Sequence, residues 1–399
     1  MKHHLFLTTV KESWNLYSNS RAMIRLLEKL VRLKYTVKEW NMVGFGNIFN
    51  NIEHAQYNVE VAENAFDLNP ITSNLIHLKK MNAHLNLTLS MEEDFWKQKS
   101  NVKWIIEGER NNKFFHNIVK IKRQKNFLHA IRDNGNIITD VEEIKKSAVT
   151  YFKDCFDEDS SCYDDLDPTI IPNVISCEMN KNLCNIPTED EIRSCVFAMD
   201  GDSVAGPDGF NAKFFQFCWA IIGRDVCEAV GDFFNGTPLP RAFCTTTISL
   251  IPKNSNPQSW KDFRPISLCN TTYKIISKIL SSRLAKLLPL MINPAQSGFI
   301  KGRNITDNIL TAHEVTHDIT HSITDTMIKL DMEKAYDRIK WNFIFHVMTG
   351  FGISNVWINC IKACISNCWF TILVNGESVG FFRRKEGFDK GILYPLSFL

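Results

Sequence analysis

The sequence predicts an α+β fold in which a long helical N-terminal region precedes a region of helices and paired strands. Apolar residues recur every three to four positions through most of the first hundred residues, which is the spacing of one face of a helix. Asn-Gly pairs at residues 134–135 and 375–376 each join two apolar segments, a pattern typical of tight β-hairpins. Residues 326–341 begin with the alternation of a strand and continue with helical spacing.

Length and composition limit the classes of protein to consider. The 399 residues have room for two or three domains with large cores. No apolar segment is long enough to span a membrane and no secretory signal is present, so we expect a cytoplasmic or nuclear protein without a membrane partner. The twelve cysteines are then free thiols. Cys360, Cys364 and Cys368 share one stripe of a helix predicted over residues 355–367 and are expected to pack in the core.

Charge is distributed unevenly along the chain. Residues 1–130 carry 19 Lys and Arg against 12 Asp and Glu, residues 131–250 carry 9 against 21, and residues 251–399 carry 18 against 11. The net charges are therefore +7, −12 and +7. Either basic segment could bind a phosphate backbone, and an ordinary solvated surface explains the same charges equally well.

The N-terminal region is predicted to form helices over residues 10–66 and 73–100, with one break at the glycines of residues 44–46. Basic and aromatic residues are then interleaved over residues 104–116. Such a segment can bind a nucleic acid by placing cations on the backbone and rings on the bases. The start of a helix is an equally good interpretation of these residues.

The middle of the chain is predicted to contain a hairpin near residues 127–138 that turns at the first Asn-Gly pair. An acidic stretch at residues 157–167 has no periodicity and predicts the main domain boundary. The other predicted elements of this part are helices over residues 141–156, 189–199 and 212–234 and a turn at residues 205–210.

The C-terminal part is predicted to contain a second hairpin, residues 247–253 with 262–268, that carries Lys253 and Arg264. Farther along, Asp331 ends a predicted strand and Asp337 lies six residues later, in the first turn of a helix. Carboxylates at this spacing can hold a divalent cation such as Mg²⁺, which prefers oxygen ligands. The other predicted elements are helices over residues 273–288 and 306–321 and a hairpin over residues 369–374 and 377–382.

Seven short motifs follow one another along the chain. They are Glu-Gly-Glu-Arg-Asn-Asn-Lys-Phe-Phe-His at residues 107–116, Ala-Gly-Pro-Asp-Gly-Phe at 205–210, Leu-Ile-Pro-Lys at 250–253, Phe-Arg-Pro-Ile-Ser-Leu at 263–268, Gln-Ser-Gly-Phe-Ile-Lys-Gly-Arg at 296–303, Asp-Asn at 307–308 and Asp-Met-Glu-Lys-Ala-Tyr-Asp at 331–337. In this order they resemble the reverse transcriptases of non-LTR (LINE-type) retrotransposons, especially those of plants. The similarity covers nearly the whole chain, without the family's endonuclease domain.

The resemblance implies a domain order. Residues 1–156 would be a helical region that precedes the polymerase, and residues 157–188 an acidic linker. Residues 189–322 would be the fingers and residues 323–399 a partial palm, which is an incomplete ferredoxin-like sheet without a thumb.

The resemblance also implies roles for individual residues. Asp331 would be the first catalytic aspartate and a ligand of Mg²⁺, with the Met332 carbonyl as a further ligand and Asp337 as a helix cap. The nucleotide-binding residues would be Lys253, Arg264, Tyr336 and Gly391. The nucleic-acid contacts would be Arg110, Lys113, Phe114, Phe115, His116 and Arg303. An RNA template, a DNA primer and a dNTP are the implied partners, and no obligate protein partner is implied.

The sequence departs from the family after Asp337. The family's Gln-Gly-Asp-Pro-Leu-Ser-Pro segment has only a partial counterpart beginning at Lys390, and its Asp-Asp turn has none. One carboxylate cannot replace the acidic cluster that holds two Mg²⁺ ions. We therefore expect a truncated or degenerate element with no polymerase activity by itself.

Two other functions fit parts of the sequence. One is a non-catalytic RNA-binding protein that uses the basic segments. The other is a zinc metalloprotease, because His313-Glu-Val-Thr-His317 fits the H-E-x-x-H pattern and His321 extends the same helical stripe. This second pattern is short, and a row of histidines on a solvated helix is the preferred interpretation.

Overall fold

The computed structural model describes residues 5–42, 46–100, 112–157, 170–298, 300, 302–320 and 341–383. The chain divides into two compact units, one of residues Leu33–Leu128 and one of Met1–Arg32 with His129–Leu399. Within the described residues no helix is both long and apolar enough to cross a membrane.

Two helices begin the chain, α1 (Phe6–Trp14) and α2 (Ala22–Trp40). The prediction of a helix from residue 10 broken only at the glycines was wrong, because the chain also leaves the helix between α1 and α2. The hydroxyl groups of Ser18 and Ser20 in this break donate to the Glu28 carboxylate at 2.5 and 2.7 Å. Serine side chains that bond in this way favour turns over helix interiors.

The unit Leu33–Leu128 is helical. After the end of α2 it contains α3 (Ile48–Leu68), α4 (Thr72–Ser100) and α5 (Asn112–Asn126). Where α3 begins and α4 ends, Phe49, Phe95 and Trp96 pack edge to face or tilted, with ring centroids 5.2–6.4 Å apart. These ring contacts join α3 to α4 within the unit.

The larger unit mixes helices with strands. Its first half contains β1 (Ile131–Asp133), β2 (Asn136–Ile138), α6 (Val141–Asp157), α7 (Cys177–Cys184), α8 (Glu189–Phe197), α9 (Ala212–Phe217), α10 (Trp219–Phe234) and α11 (Arg241–Cys244). Its second half contains β3 (Thr245–Pro252), β4 (Phe263–Cys269), α12 (Thr271–Leu284), α13 (Leu288–Met291), α14 (Ile305–Thr320), α15 (Trp341–Gly350), α16 (Asn355–Ser366), β5 (Trp369–Val374) and β6 (Glu377–Arg383). The α+β class is confirmed. The single helix predicted over residues 212–234 is instead two helices that meet at Cys218.

Four strands form one mixed sheet in the order β4-β3-β5-β6. β3 pairs antiparallel with β4 and parallel with β5, and β5 pairs antiparallel with β6. The parallel pair requires a long crossover, which the helices α12 to α16 supply. Strands on both sides of residue 322 therefore share a sheet, so the predicted division between fingers and palm does not separate two sheets.

Both Asn-Gly pairs form the turns that the sequence predicts. Asn134 and Gly135 have φ of 47° and 85°, and Asn375 and Gly376 have φ of 50° and 89°. Positive φ at both central residues is the signature of a type I′ turn, whose twist matches that of the paired strands. The turns thus fix the registers of β1 with β2 and of β5 with β6.

The core beside the sheet contains the predicted cysteine stripe. Cys364 and Cys368 are buried, whereas Cys360 is half-buried. The Tyr273 hydroxyl donates to the Cys364 carbonyl at 2.9 Å. Burial raises the pKa of the Cys364 thiol well above its usual value. The Cys364 thiol therefore stays protonated and packs as a small apolar group.

A buried carboxylate joins the N-terminal helices to α10. Asp225, 9% exposed, accepts from the Trp14 indole at 2.7 Å, from Lys29 at 2.8 Å and from Arg25 at 3.1 Å. Burial by itself would raise the pKa of Asp225, but the hydrogen bonds from Lys29 and Trp14 outweigh it and lower the pKa. This cluster is one of the contacts that join residues Met1–Arg32 to the rest of the larger unit.

We predict that Asp225→Asn lowers the free energy of unfolding by about 2 kcal/mol at pH 7, because charged hydrogen bonds are lost. Since the folded pKa is lowered, the carboxylate's contribution is present above about pH 4 and is lost as the pH falls through the folded value. Denaturant unfolding between pH 3 and 7 measures both effects.

The matched control is Asp202→Asn, which removes a carboxylate from an exposed ion pair with Lys213. We expect it to change stability by less than about 1 kcal/mol. An equal loss in the two variants would contradict the structural role of Asp225.

Candidate functional site

The β3–β4 hairpin brings the two predicted triphosphate-binding cations to one end. Arg264 lies opposite Ile251 in the register, and the Lys253 amide donates to the Asp262 carbonyl at 2.7 Å. Both side chains are exposed. The base of the hairpin, where Thr246 pairs with Cys269, lies at the opposite end and is buried.

The loop between β3 and β4, residues 253–262, is organised by Asp262. Its carboxylate accepts from the amides of Ser259 at 2.9 Å and Gln258 at 3.0 Å, and from the Ser259 hydroxyl at 3.1 Å. The backbone hydrogen bonds from Ser259 and Gln258 lower the pKa of Asp262. Asp262 therefore stays ionised and holds the loop in one conformation at neutral pH.

The two cations of the hairpin differ in their present contacts. The Lys253 ammonium donates to the Lys261 carbonyl at 2.5 Å. The Arg264 guanidinium makes no hydrogen bond or ion pair within the described part of the chain. An arginine with unused donors can bind phosphate oxygens through two parallel hydrogen bonds. Arg264 is thus the better placed of the two for binding an anion.

The motif at residues 205–210 packs against the base of this hairpin. A Cβ on Gly206 would lie 2.5 Å from the Asn270 backbone nitrogen, so no larger residue fits there. The Asp208 amide donates to the Asn270 side-chain oxygen at 3.1 Å, and the Thr271 hydroxyl donates to the Phe210 carbonyl at 2.7 Å. The motif is therefore a docking turn in this structure.

Asn270 connects three segments through one side chain. Its amide oxygen accepts from Asp208, and its amide nitrogen donates to the Ala242 carbonyl at 2.7 Å and to the Phe243 carbonyl at 3.4 Å. Asn270 is the N-cap residue of α12, yet its side chain makes no capping bond. An asparagine at this position normally bonds an amide of its own helix. Here it ties the end of β4 to the start of β3 and to the docking turn.

Arg303, a predicted nucleic-acid contact, binds backbone carbonyls. Its guanidinium donates to Asn293 and Gln296 at 2.6 Å each and to Ile292 at 2.9 Å. The side chain thereby closes the loop that leads into α14. Its role in nucleic-acid binding stays a prediction, and the donors used on the loop are not available to a phosphate in this conformation.

Most of the other predicted site residues lie outside the described residues. These are Arg110, Asp331, Met332, Tyr336, Asp337 and Gly391. Lys113, Phe114, Phe115 and His116 lie in α5, where the structure describes the backbone but not these side chains. α5 carries four lysines and one arginine with no acidic residue.

The metalloprotease pattern lies on an exposed helix. His313, Glu314 and His317 are on α14 and exposed to solvent, whereas His321 lies outside the described residues. Among the described residues no three His, Cys, Asp or Glu side chains are grouped to hold a metal ion. The spacing of His313 and His317 places them one turn apart on α14.

The sequence did not predict that Asn270 and Asp262 organise the base and the loop of the β3–β4 hairpin. Their partners lie in other segments or in an irregular loop, so periodicity gives no indication of them. The one local signal for Asn270 was its position three residues before the predicted start of a helix at residue 273, and an asparagine near a helix start predicts capping rather than a link between segments.

We predict that Gly206→Ala lowers the free energy of unfolding by about 3 kcal/mol, because the new Cβ would collide with backbone atoms that cannot move independently. Gly231→Ala is the matched control. Gly231 lies in the last turn of α10, and its Cβ would have Ile186 as its nearest neighbour at 4.0 Å. We expect that variant to be neutral or slightly stabilised in the same urea titration, as alanine favours a helix.

Comparison with known proteins shows which family and which relatives the sequence resembles. Residues 251–393 match the family of reverse transcriptases (RNA-dependent DNA polymerases). A 149 kDa protein of transposon TX1 from Xenopus laevis is 26% identical over 302 residues, 75% of this chain and 23% of the relative. A Pol polyprotein of the type-1 retrotransposable element R2 from Popillia japonica is 24% identical over 141 residues, 35% of this chain and 20% of the relative.

The chain thus spans about a quarter or less of the length of the curated relatives it matches. A third relative, a Pol polyprotein of the type-2 element R2DM from Drosophila melanogaster, is 24% identical over 205 residues, 51% of this chain and 19% of the relative. The matched family region includes the cation-bearing end of the β3–β4 hairpin. Residues 251–393 therefore match the reverse transcriptase family, and the resemblance of the chain to non-LTR retrotransposon reverse transcriptases is confirmed.

Proposed function

We propose that this protein is part of an RNA-directed DNA polymerase that copies an RNA template by adding dNTPs to a primer 3′-hydroxyl. One observation carries the proposal. The family match spans residues 251–393, which include the exposed cations of the β3–β4 hairpin and the motif of residues 331–337. The fingers would comprise residues 189–322 and the partial palm residues 323–399, after the helical region 1–156 and the linker 157–188.

Arg264 and Lys253 are the proposed ligands of the incoming triphosphate. The unused donors of Arg264 suit a bidentate contact with phosphate oxygens. Lys253 would have to exchange its bond to the Lys261 carbonyl for one to phosphate. Tyr336 is proposed to lie against the sugar and reject a 2′-hydroxyl, and Gly391 to line the nucleotide site.

Asp331 and the Met332 carbonyl are the proposed ligands of Mg²⁺. Their hard oxygen atoms fit this ion, which usually takes one or two protein carboxylates and keeps several waters. When bound, Mg²⁺ would favour ionisation of the primer hydroxyl and neutralise the departing pyrophosphate. Asp331 contributes the carboxylate, while Asp337 is proposed to cap the following helix.

We predict that a purified polypeptide of these 399 residues incorporates no dNTP in a primer-extension assay with an RNA template and Mg²⁺. The acidic residues after Asp337 are Glu377, Glu386 and Asp389, none of them in an Asp-Asp turn. A single carboxylate motif is insufficient to hold two ions against their hydration.

Incorporation that Asp331→Asn abolishes would contradict this prediction and would show that the polypeptide supplies a complete metal site. Incorporation that Asp331→Asn leaves unchanged would indicate a contaminating polymerase. A template-free reaction is the second control.

RNA binding without catalysis is the second candidate function. The observation that favours it is the charge of α5, five cations without an acid, of which Lys120, Lys122 and Lys125 are exposed. A helix with this composition attracts a phosphate backbone and releases its counterions. Arg110 and residues 113–116 are proposed to extend the same contact.

We predict that the double variant Lys120→Gln, Lys125→Gln binds single-stranded RNA more weakly and with a flatter salt dependence. Loss of two phosphate contacts should reduce the slope of log affinity against log salt by about 1.4. Fluorescence anisotropy at several salt concentrations between about 50 and 200 mM, a range over which such affinities change strongly, measures this slope.

The matched control is the pair Lys153→Gln, Lys181→Gln, which removes two exposed lysines from the acidic segment 131–250. We expect its slope to equal that of the unmodified protein. Equal slopes in both double variants would rule out α5 as an RNA contact.

A further inference from the structure

A buried tryptophan fixes the loop that carries the hairpin cations. Trp260, in the short 3₁₀ helix Trp260–Asp262, is 2% exposed. Its indole N–H donates to the Ser147 hydroxyl oxygen at 2.8 Å, and the Ser147 hydroxyl donates to the Asp133 carboxylate at 2.6 Å. Ser147 therefore serves as acceptor and donor at once, between the loop and the β1–β2 hairpin.

Two further contacts hold the loop against the same upstream segment, residues 131–157. The Arg132 amide donates to the Gln258 carbonyl at 2.7 Å. The rings of Phe152 and Trp260 lie with centroids 6.1 Å apart, and the Trp260 ring also lies 6.1 Å from that of Phe263. A backbone bond, a side-chain relay and ring packing thus converge on residues 258–263.

The upstream segment is itself fixed to the far edge of the sheet. Lys145, 7% exposed, donates to Glu377 at the start of β6 at 2.6 Å. Val149 of α6 lies directly against Gly380, where a Cβ would approach to 2.7 Å. Since α6 is attached at β6 and at the loop, it cannot shift without disturbing one of the two.

We propose that Ser147 is a positioning residue of the nucleotide site, which holds the loop 253–262 through Trp260 and thereby sets the positions of Lys253 and Arg264. Ser147 lies 106 positions before the start of the loop at residue 253, and residues 131–157 lie outside the region that matches the family. The proposal rests on the function proposed above for the hairpin cations. It extends the nucleotide site to a segment that supplies no ligand of its own.

The physical basis is the cost of an unpaired buried donor. Without the Ser147 hydroxyl, the Trp260 indole N–H has no acceptor at this buried position and the Asp133 carboxylate loses its donor. The loop then opens more often, because a buried polar group without a partner favours exposure to water. The Lys253 ammonium would lose its fixed position first, since its partner Lys261 directly follows Trp260.

Amide hydrogen exchange of the 399-residue protein tests the loop directly. The amides of Lys253, Gln258 and Ser259 all donate to Asp262 and report on its conformation. We expect Ser147→Ala to accelerate their exchange about tenfold, and Ser147→Thr, which keeps the hydroxyl, to restore slow exchange. Ser277→Ala is the matched control, because among the described residues this buried helix serine donates only to the Lys274 carbonyl of its own helix.

Equilibrium binding of dTTP with Mg²⁺ to the same proteins tests the effect on the site. We expect Ser147→Ala to weaken dTTP binding about tenfold, and Ser147→Thr and Ser277→Ala to leave it within about twofold. Arg264→Ala is included because it tests the proposed function of the hairpin by itself.

The outcomes separate the two proposals. If Arg264→Ala weakens dTTP binding but Ser147→Ala does not, Ser147 is not a positioning residue and the hairpin keeps its proposed function. Unchanged exchange of the loop amides in Ser147→Ala overturns the proposal that Ser147 holds the loop 253–262. If Arg264→Ala has no effect on dTTP binding, the proposed function of the hairpin fails, and the positioning role fails with it.

Discussion

The β3–β4 hairpin depends on the side-chain amide of Asn270. Directly where β4 ends, this one group accepts a hydrogen bond from the docking turn of residues 205–210 and donates hydrogen bonds to the carbonyls that precede β3. At 2% exposure it has no water to replace a lost partner. The positions of the two strands and of the docking turn therefore depend on one another. The position of the exposed end of the hairpin depends in turn on these contacts at its buried base.

The motifs that this chain shares with the family differ in role: some hold backbone segments in place, and others present exposed side chains. Residues 205–210 and the carbonyl-binding Arg303 hold backbone segments in place. Arg264 lies on an exposed edge strand and makes no side-chain hydrogen bond to the described residues, so its donors are free for the ligand proposed above. A motif shared with an enzyme family is thus no direct guide to chemistry, because close packing requires a specific residue as strictly as catalysis does.

The sequence predicted the features that depend on neighbouring residues. Both type I′ turns follow from Asn-Gly pairs, and the helices follow from apolar spacing. The parallel pairing of β3 with β5 could not be predicted, since the strands are separated by more than a hundred residues and no local pattern records their contact. The same holds for Ser147, whose partners lie 14 and 113 positions away. The break at Cys218 was not predicted, because the helices on both sides of it are apolar and their sequence gives no sign of an interruption.

The attachment of α6 to the sheet bears on how the protein can be divided for study. A fragment starting at residue 251, where the family match begins, would lack most of β3 and all of α6. Trp260 and Gly380 would then face solvent in place of Ser147 and Val149. A recombinant fragment that keeps these contacts must include β1 and α6, and one that also keeps the partners of Asp225 must include α1 and α2.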